Sequence, residues 1–136
     1  MKKIFKIIPL FILTLLSYKV NAQLDTLNYL KQFEANKMQY IGQPFSKLLQ
    51  DMTQIQPKTV WADYNIENKT KTKRSLFNFC EKEYSFKNVI TVNITWDNDI
   101  PYTQVEYYEK KNHFYFTDEE RSFYGNKIIK DIMVYR

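Results

Sequence analysis

Reactive side chains are scarce in this sequence. Its 136 residues include one cysteine, Cys80, and one histidine, His113. A single cysteine excludes an internal disulfide bond, and a single histidine leaves a catalytic triad or a multi-histidine metal site with only His113 to use. No spacing typical of a cofactor or metal site is present. We therefore predict neither a cofactor nor a metal, and we favour a protein that is not an enzyme.

Glycine is almost as rare, with only Gly42 and Gly125 in the chain. So few flexible joints, together with the lack of a linker or a low-complexity segment, predict one compact body. The length of 136 residues also suits one domain.

The first 22 residues have the pattern of a secretory signal peptide. Met1-Lys2-Lys3 gives a positive start, Ile7 to Leu16 is mostly apolar, and Val20-Asn21-Ala22 precedes a cleavage point at Gln23. The apolar run is short against the roughly 20 residues that cross a bilayer. We expect an exported protein, periplasmic or secreted, in which residues 23–136 form a single α+β domain without a transmembrane span.

The charge balance gives no reason to expect a nucleic-acid partner. The whole chain has a formal net charge of +5, but four of its 20 basic residues lie in the predicted signal peptide, which contains no acidic residue. The remaining 16 basic residues face 15 acidic ones. Because a nearly neutral domain does not create the basic field that attracts phosphates, we predict no binding of nucleic acid.

Two helices are predicted near the start of the domain. Leu24 to Met38 has one apolar side, and Asp25 or Thr26 can cap its first turn. Gly42-Gln43-Pro44 then breaks this helix, because the residue before a proline is disfavoured in the helical conformation. A second, short helix follows, and an apolar stripe at i, i+3, i+4 and i+7 consists of Phe45, Leu48, Leu49 and Met52.

Period-two alternation predicts a β-sheet that these helices cover. The clearest strand is Asn88 to Asp97, which places on one side Ile90, Val92, Ile94 and Trp96. Short connections favour antiparallel pairing of successive strands. The other predicted strands are residues 58–66, 75–84, 102–109 and 127–135.

The segments between the strands carry turn and cap signals. Lys69 to Arg74 is predicted as a hairpin loop, and Asp97 to Pro101 as a turn. Thr117-Asp118-Glu119-Glu120 matches a capping box that opens a short helix, which Gly125-Asn126 closes. The predicted fold is α+β: two N-terminal helices packed on one face of a four- to five-stranded antiparallel sheet, with a short helix before the last strand.

The order of these elements resembles known envelope domains. The helix, the turn and the stripe in Ile41-Gly42-Gln43-Pro44-Phe45-Ser46-Lys47-Leu48-Leu49, followed by a β-meander, are similar to domains related to β-lactamase inhibitory protein and to the SmpA/OmlA outer-membrane lipoproteins. The chain also resembles small secreted proteins of unknown function from Bacteroidetes-type bacteria, which share its richness in Lys, Asn, Ile and Tyr. The resemblance implies the same αα-β-meander architecture. It transfers no binding residue, because the lipoprotein cysteine and the paired disulfides are missing.

Aromatic residues of the C-terminal half are the best candidates for a function. Tyrosine combines a large apolar area with a polar group and is enriched where proteins recognise partners. If 102–109 is a strand, Tyr107 and Tyr108 face opposite sides, so at least one of them points away from the helices. We predict a non-enzymatic module that binds a protein or a cell-envelope component through an aromatic sheet face and loops. The candidate partner-binding residues are Tyr102, Tyr108, His113, Tyr115, Lys71, Lys73 and Arg74.

The sequence leaves five points open. The basic run from Lys69 to Arg74 is either a solvated loop or a contact for anionic polymers or lipid headgroups. An alternative function is a small hydrolase or a small-ligand domain that uses His113 and a nearby carboxylate, Glu106 or Glu109. A third is pairing of a peptide with an exposed edge strand at 127–135. The oligomeric state is unknown, and Cys80 is either a buried thiol or an intermolecular link.

Overall fold

A computed structural model describes residues 25–65 and 68–136 of the chain. The predicted signal peptide lies outside these residues. In the part that is described, no helix is long and apolar enough to cross a membrane. The elements in chain order are α1 (Thr26–Ala35), α2 (Phe45–Asp51), β1 (Thr59–Asn65), β2 (Asn68–Asn78), β3 (Thr91–Pro101), α3 (Tyr102–Asn112), α4 (Asp118–Gly125) and β4 (Ile129–Tyr135). Short 3₁₀ turns lie at Lys37–Gln39 and Lys82–Tyr84.

The predicted α+β class and the antiparallel sheet are confirmed. The four described strands lie in the order β1-β2-β3-β4, and each strand is antiparallel to the next. The most regular segment of the sequence forms β3, an interior strand whose Val92, Ile94 and Trp96 are all buried. Period-two alternation therefore correctly predicted a strand that is paired with a neighbour on each side.

Two helices are present near the start of the domain, as predicted, but α1 ends at Ala35 and not at Met38, and the predicted start at Leu24 lies outside the described residues. The side chain of Asp25 accepts a hydrogen bond from the N–H of Asn28, which caps α1. Gly42 has a φ of +81°, a left-handed conformation that glycine adopts without strain, and it turns the chain towards α2. Met38 lies beyond the end of α1 and is 79 % exposed, so it does not extend the apolar side. The predicted stripe of α2 is buried along its whole length: Phe45, Leu48, Leu49 and Met52.

The helices pack on one face of the sheet, and aromatic rings make the closest contacts. The ring centroid of Phe45 on α2 lies 4.6 Å from that of Phe77 on β2 and 5.5 Å from that of Trp96 on β3. Tyr124 on α4 stacks on Trp96 at 5.7 Å with the ring planes 16° apart. Val105 of α3 belongs to the same buried cluster. The other face of the sheet is consequently free of described helices.

The strand predicted at 102–109 is wrong, because this segment is the helix α3. Pro101 precedes its first residue, and Val105 and Glu109, four positions apart, are both buried. A helical period was difficult to recognise because one of these two buried positions is a glutamate. The aromatic residues between them gave the segment an apparent strand-like composition.

Two predicted connections are also wrong, because they lie within strands. β3 continues through the predicted turn as far as Pro101, and Ile100 is buried at 2 % exposure. Thr72 pairs with Ile100, so the basic run is part of β2 and not a hairpin loop. In contrast, the strand predicted at 75–84 ends at Asn78, and a loop that contains the half-buried, free thiol of Cys80 follows.

The capping box before the last strand is confirmed. Thr117 accepts a hydrogen bond from the N–H of Glu119 at 3.2 Å, and the carboxylate of Glu120 accepts one from the N–H of Thr117 at 2.9 Å. The helix ends at Gly125, and the N–H of its C-cap, Asn126, bonds to the carbonyl of Tyr124. A short helix therefore precedes β4, as the sequence predicted.

Candidate functional site

The predicted aromatic residues do not form a common sheet face. Tyr102 and Tyr108 both lie on α3, on the side of the sheet that the helices cover, and Tyr108 packs against Phe123 of α4 at 4.7 Å between ring centroids. Tyr115 is half-buried and forms a bridge with Thr59 at the outer edge of β1. The argument that Tyr107 or Tyr108 must point away from the helices is wrong, since it required a strand.

The predicted basic residues all lie on β2 and are exposed. Arg74 is committed to an ion pair, with its Nε 3.0 Å from Oδ2 of Asp63. Lys71 pairs in the ladder with Pro101, and Lys73 lies at the irregularity between Thr72 and Arg74. These side chains therefore lie along a strand with a local irregularity and not in a hairpin loop.

His113 lies apart from the carboxylates that the alternative function would need. It is the exposed C-cap residue of α3, in a left-handed conformation with a φ of 53°. Glu106 forms an ion pair with Lys110 at 2.7 Å. The carboxylate of Glu109 accepts hydrogen bonds from the N–H of Ala62 at 3.4 Å and from the hydroxyl of Tyr64 at 3.5 Å. None of the hydrogen bonds among the described residues joins His113 to either glutamate, so the observed contacts do not support a hydrolase built on His113.

The edge strand proposed for peptide pairing is already covered. The N–H of Ile129 donates to the carbonyl of Gln43 at 3.0 Å, and the N–H of Val134 donates to the carboxylate of Glu34 at 3.1 Å. Lys37 and Asp131 add an ion pair of 2.8 Å beside this edge, and the hydrogen bond from Lys37 lowers the pKa of Asp131. An edge whose donors are occupied is a poor template for another strand, so this hypothesis loses its support.

The face of the sheet opposite the helices carries apolar and polar side chains. Four of them are buried, namely Thr59, Asn78, Thr91 and Asn93, whereas Met133 and Tyr135 are exposed. Residues that pair directly across neighbouring strands point to the same side. The strand register places two rows of directly paired residues, each with one residue from every strand, on this side of the sheet. The first row is Trp61, Leu76, Asn93 and Met133, and the second is Thr59, Asn78, Thr91 and Tyr135. We call these eight residues the helix-free face.

An aromatic cluster borders the helix-free face at β1. The ring of Trp61 stacks on Phe114, with centroids 4.1 Å apart and planes 17° apart, and its edge meets Phe86 at 5.5 Å. Phe86 belongs to the loop after β2 and is 78 % exposed. The ammonium of Lys82 lies 5.2 Å from the ring centroid of Phe114. We call Trp61, Phe86 and Phe114 the Trp61 cluster.

The backbone explains how Phe114 reaches Trp61. His113 and Phe114 both have positive φ angles, 53° and 68°, which end α3 abruptly and reverse the chain. The carbonyl of Phe114 then accepts a hydrogen bond from the N–H of Val60 at 2.9 Å. Left-handed conformations of non-glycine residues cost about 1–3 kcal/mol each. Ring stacking and pairing with β1 offset this cost and hold Phe114 at the sheet.

Several polar atoms of the helix-free face have no partner among the described residues. Thr59 Oγ1, Trp61 Nε1 and Asn93 Oδ1 are all buried and unbonded. A buried polar atom without a hydrogen bond costs about 1–3 kcal/mol, so such atoms are rare in folded proteins. Three of them on one face, next to exposed apolar side chains, make this face the best candidate for a contact surface.

A second feature is a cleft on the helical side of the sheet. It has a volume of about 660 Å³ and is lined by Ala62, Asp63, Tyr64, Lys69 and Tyr102. We call it the β1–α3 cleft. The rings of Tyr64 and Tyr102 meet edge to face at 4.9 Å. Glu109 lies behind Ala62 and Tyr64, and burial raises the pKa of its carboxyl, although the N–H of Ala62 and the hydroxyl of Tyr64 oppose that effect.

Sequence reasoning missed most of the residues of the helix-free face. Trp61 and Met133 could have been identified, because each lies one position from a buried residue, Val60 and Ile132, and therefore points to the other side. Phe86 and Phe114 could not, because the conformation of loops places them. No family model, curated protein or solved structure matches this chain, and the resemblance to the inhibitor-like and SmpA/OmlA-like domains stays a prediction.

Proposed function

We propose that the protein is an exported, non-enzymatic binding module that recognises a partner protein through the helix-free face and the Trp61 cluster. The observation that carries this proposal is the exposure of large apolar side chains on this side of the molecule. Phe86 is 78 % exposed, Met133 49 % and Tyr135 39 %. Exposed large apolar side chains beside unsatisfied polar atoms are typical of contact surfaces.

The size of the surface suggests how tight the association is. β1 and β4 each have seven residues. With strands roughly 4.8 Å apart and about 3.4 Å per residue, four such strands span on the order of 400 Å². The accessible part is smaller, because Thr59, Asn78, Thr91 and Asn93 are buried. A standard interface buries about 800 Å² on each partner. The loop that carries Phe86 must therefore contribute, and we expect a transient complex with a dissociation constant in about the micromolar range.

The surroundings of the apolar residues fit a protein partner. Arg74 and Asp63 form an ion pair on the third row of the same face, and Lys37 and Asp131 form another near β4. An apolar centre with a polar rim is the usual composition of a protein–protein interface. A polyanionic envelope polymer would need several free cations, and Arg74 is already neutralised by its partner.

Site-specific photo-cross-linking in the native cells tests this proposal. A photoreactive amino acid is placed at position 86, at position 133 and, as a matched control, at position 38. Met38 is 79 % exposed and apolar, but it lies in the 3₁₀ turn after α1. We expect positions 86 and 133 to capture the same protein and position 38 to capture none of it. Equal capture at all three positions, or at none, would defeat the proposal.

The purified pair then gives a quantitative check. A buried aromatic side chain at the centre of an interface contributes at least about 1.4 kcal/mol, so Phe86→Ala should weaken binding about tenfold or more. Met38→Ala should change the dissociation constant by less than about twofold. Binding that is unchanged in Phe86→Ala and Met133→Ala would move the contact surface elsewhere.

A further inference from the structure

We propose that the β1–α3 cleft binds an alkylammonium group, held by the rings of Tyr64 and Tyr102 and by the carboxylate of Glu109. This site is separate from the helix-free face, and it does not depend on the partner protein. The ligand is either a small free amine or the side chain of a lysine in a peptide, since both present the same charged group on an apolar stem.

The first step of the argument is the state of Glu109. Glu109 is only 9 % exposed. Its carboxylate accepts two hydrogen bonds, from the N–H of Ala62 at 3.4 Å and from the hydroxyl of Tyr64 at 3.5 Å. Good hydrogen bonds to a carboxylate are nearer 2.8 Å. A buried carboxylate is normally paired with a cation. Among the ion pairs of the described residues none includes Glu109, because Lys110 pairs with Glu106 and Lys111 with Glu119.

The second step is the shape of the space beside it. The cleft has a volume of about 660 Å³, and Ala62, whose N–H bonds to Glu109, is part of its wall. Glu109 itself is not part of the lining. The hydroxyl of Tyr64, which lines the cleft, lies 3.5 Å from the carboxylate of Glu109, and the ring of Tyr64 also meets that of Tyr102. An ammonium group that displaces the hydroxyl of Tyr64 would gain a full charge-assisted bond in place of that weak contact.

The third step is the chemistry of the walls. The rings of Tyr64 and Tyr102 lie 82° apart, so two faces of a corner are aromatic. Aromatic faces attract cations within about 6 Å of the ring centre, and a corner of rings beside a carboxylate is a common arrangement for ammonium groups. A neutral ligand would use the rings but would leave the carboxylate unpaired.

One charged residue of the cleft opposes this ligand. Lys69 belongs to its lining, and its ammonium repels another cation. The ammonium of Lys69 would instead favour an anion bound at the opening of the cleft, near Tyr102 at the start of α3. The two occupants respond in opposite ways to Lys69→Gln, which removes the charge and keeps a polar side chain only slightly shorter than lysine.

The titratable groups around Glu109 determine the pH dependence. Tyr64 from β1, Tyr124 from α4, and Tyr102 and Glu106 from α3 itself surround the carboxyl. Burial raises the pKa of Glu109, and the charge of Glu106 raises it further. Tyr64 and Tyr124 are neutral near pH 7, since a tyrosine ordinarily titrates near pH 10 and burial raises the pKa of both residues further. Binding of an ammonium group should therefore weaken as the pH falls through the raised pKa of Glu109.

The experiment is a titration of residues 23–136 with n-butylammonium, followed through the backbone amide resonance of Ala62. The neutral 1-butanol serves as the matched control ligand. We expect saturable binding in the millimolar range for the amine and at least tenfold weaker binding for the alcohol. Glu109→Gln should weaken amine binding at least tenfold and remove its pH dependence. Glu119→Gln, which removes the exposed partner of Lys111, should change the affinity for the amine less than twofold.

Two further arms complete the test. Lys69→Gln should leave the affinity for the amine equal or higher. Tighter binding of N-acetyl-lysine methylamide than of n-butylammonium would identify a lysine in a peptide as the source of the ammonium group. Equal affinity for the two amines identifies a free amine. Equal binding of amine and alcohol, amine binding that survives Glu109→Gln, or binding of acetate that Lys69→Gln abolishes would each overturn the proposal.

Discussion

Replacing Glu120 by alanine should destabilise the protein and disturb the helix-free face, although Glu120 is not part of that face. This carboxylate has 1 % exposure. It accepts hydrogen bonds from the side chain of Asn112 at 2.6 Å, from the N–H of Thr117 at 2.9 Å and from the hydroxyl of Thr117. Asn112 is the last residue of α3, so Glu120 joins the end of that helix to the start of α4.

The magnitude follows from the groups left behind. Alanine at position 120 leaves the N–H of Thr117 without an acceptor and leaves the amide of Asn112 with only a long bond of 3.4 Å to the hydroxyl oxygen of Thr117, at a cost of about 1–3 kcal/mol each. The loss of the capping box itself accounts for part of this cost. We expect a total of about 3 kcal/mol. For a domain of this size about 1 kcal/mol corresponds to roughly 4 °C, so the thermal midpoint should fall by about 12 °C.

The control and the second readout separate this mechanism from a general loss of charge. Glu119→Ala removes a neighbouring carboxylate from an exposed ion pair with Lys111, and it should cost less than about 1 kcal/mol. In Glu120→Ala the turn at His113 and Phe114 should also loosen, which exposes Trp61 and shifts its fluorescence to the red before global unfolding. A loss below about 1 kcal/mol, or a loss equal to that of Glu119→Ala, would refute the reasoning.

Three other predictions concern stability. Phe86→Ala should change the free energy of unfolding by less than about 0.5 kcal/mol, while Trp96→Ala, at the centre of the core, should cost about 3–5 kcal/mol in chemical denaturation. Burial raises the pKa of Glu109 in the folded state, so the folded protein binds the proton of this carboxyl more tightly than the unfolded chain does. The free energy of unfolding should therefore fall as the pH rises from about 4.5 through the raised value. Glu109→Gln should remove this pH dependence and raise the thermal midpoint at pH 7. The pKa of Asp131 is lowered by Lys37, so the small stabilisation from that pair is present above pH 3.8 and is lost as the pH falls through the lowered value, a change that Asp131→Asn should remove.

The parts of the fold that the sequence predicted are those with a local cause. The stripe from Phe45 to Met52 specifies a helix by spacing alone, and Thr117 with Glu120 specifies a helix start by hydrogen bonds within four residues. The alternation around Ile94 specifies an interior strand in the same way. Each of these patterns is independent of what the rest of the chain does.

The parts that it did not predict depend on distant partners. The basic run of β2 is a strand because Thr72 pairs with Ile100, which is 28 residues away in sequence. The segment that begins at Tyr102 is a helix that buries Glu109 against β1, and a buried glutamate breaks the apolar pattern that reveals a helix. The contact between Phe114 and Trp61 was missed for another reason: it depends on the left-handed conformations of His113 and of Phe114 itself, which residue type does not predict.

Strand β1 connects the two proposed sites and also keeps them distinct. Successive side chains of a strand point to opposite sides, so Trp61 lies at the helix-free face while Ala62 and Tyr64 line the β1–α3 cleft. The segment from Glu109 to Phe114 contacts the outer edge of this strand at two points. The carboxylate of Glu109 accepts a hydrogen bond from the N–H of Ala62, and the carbonyl of Phe114 accepts one from the N–H of Val60. A substitution of one side chain on β1 therefore alters one surface without removing the backbone contacts that position the other. Loss of amine binding and loss of partner binding should accordingly separate into different variants of the same strand, and this separation is what makes the two proposals independently testable.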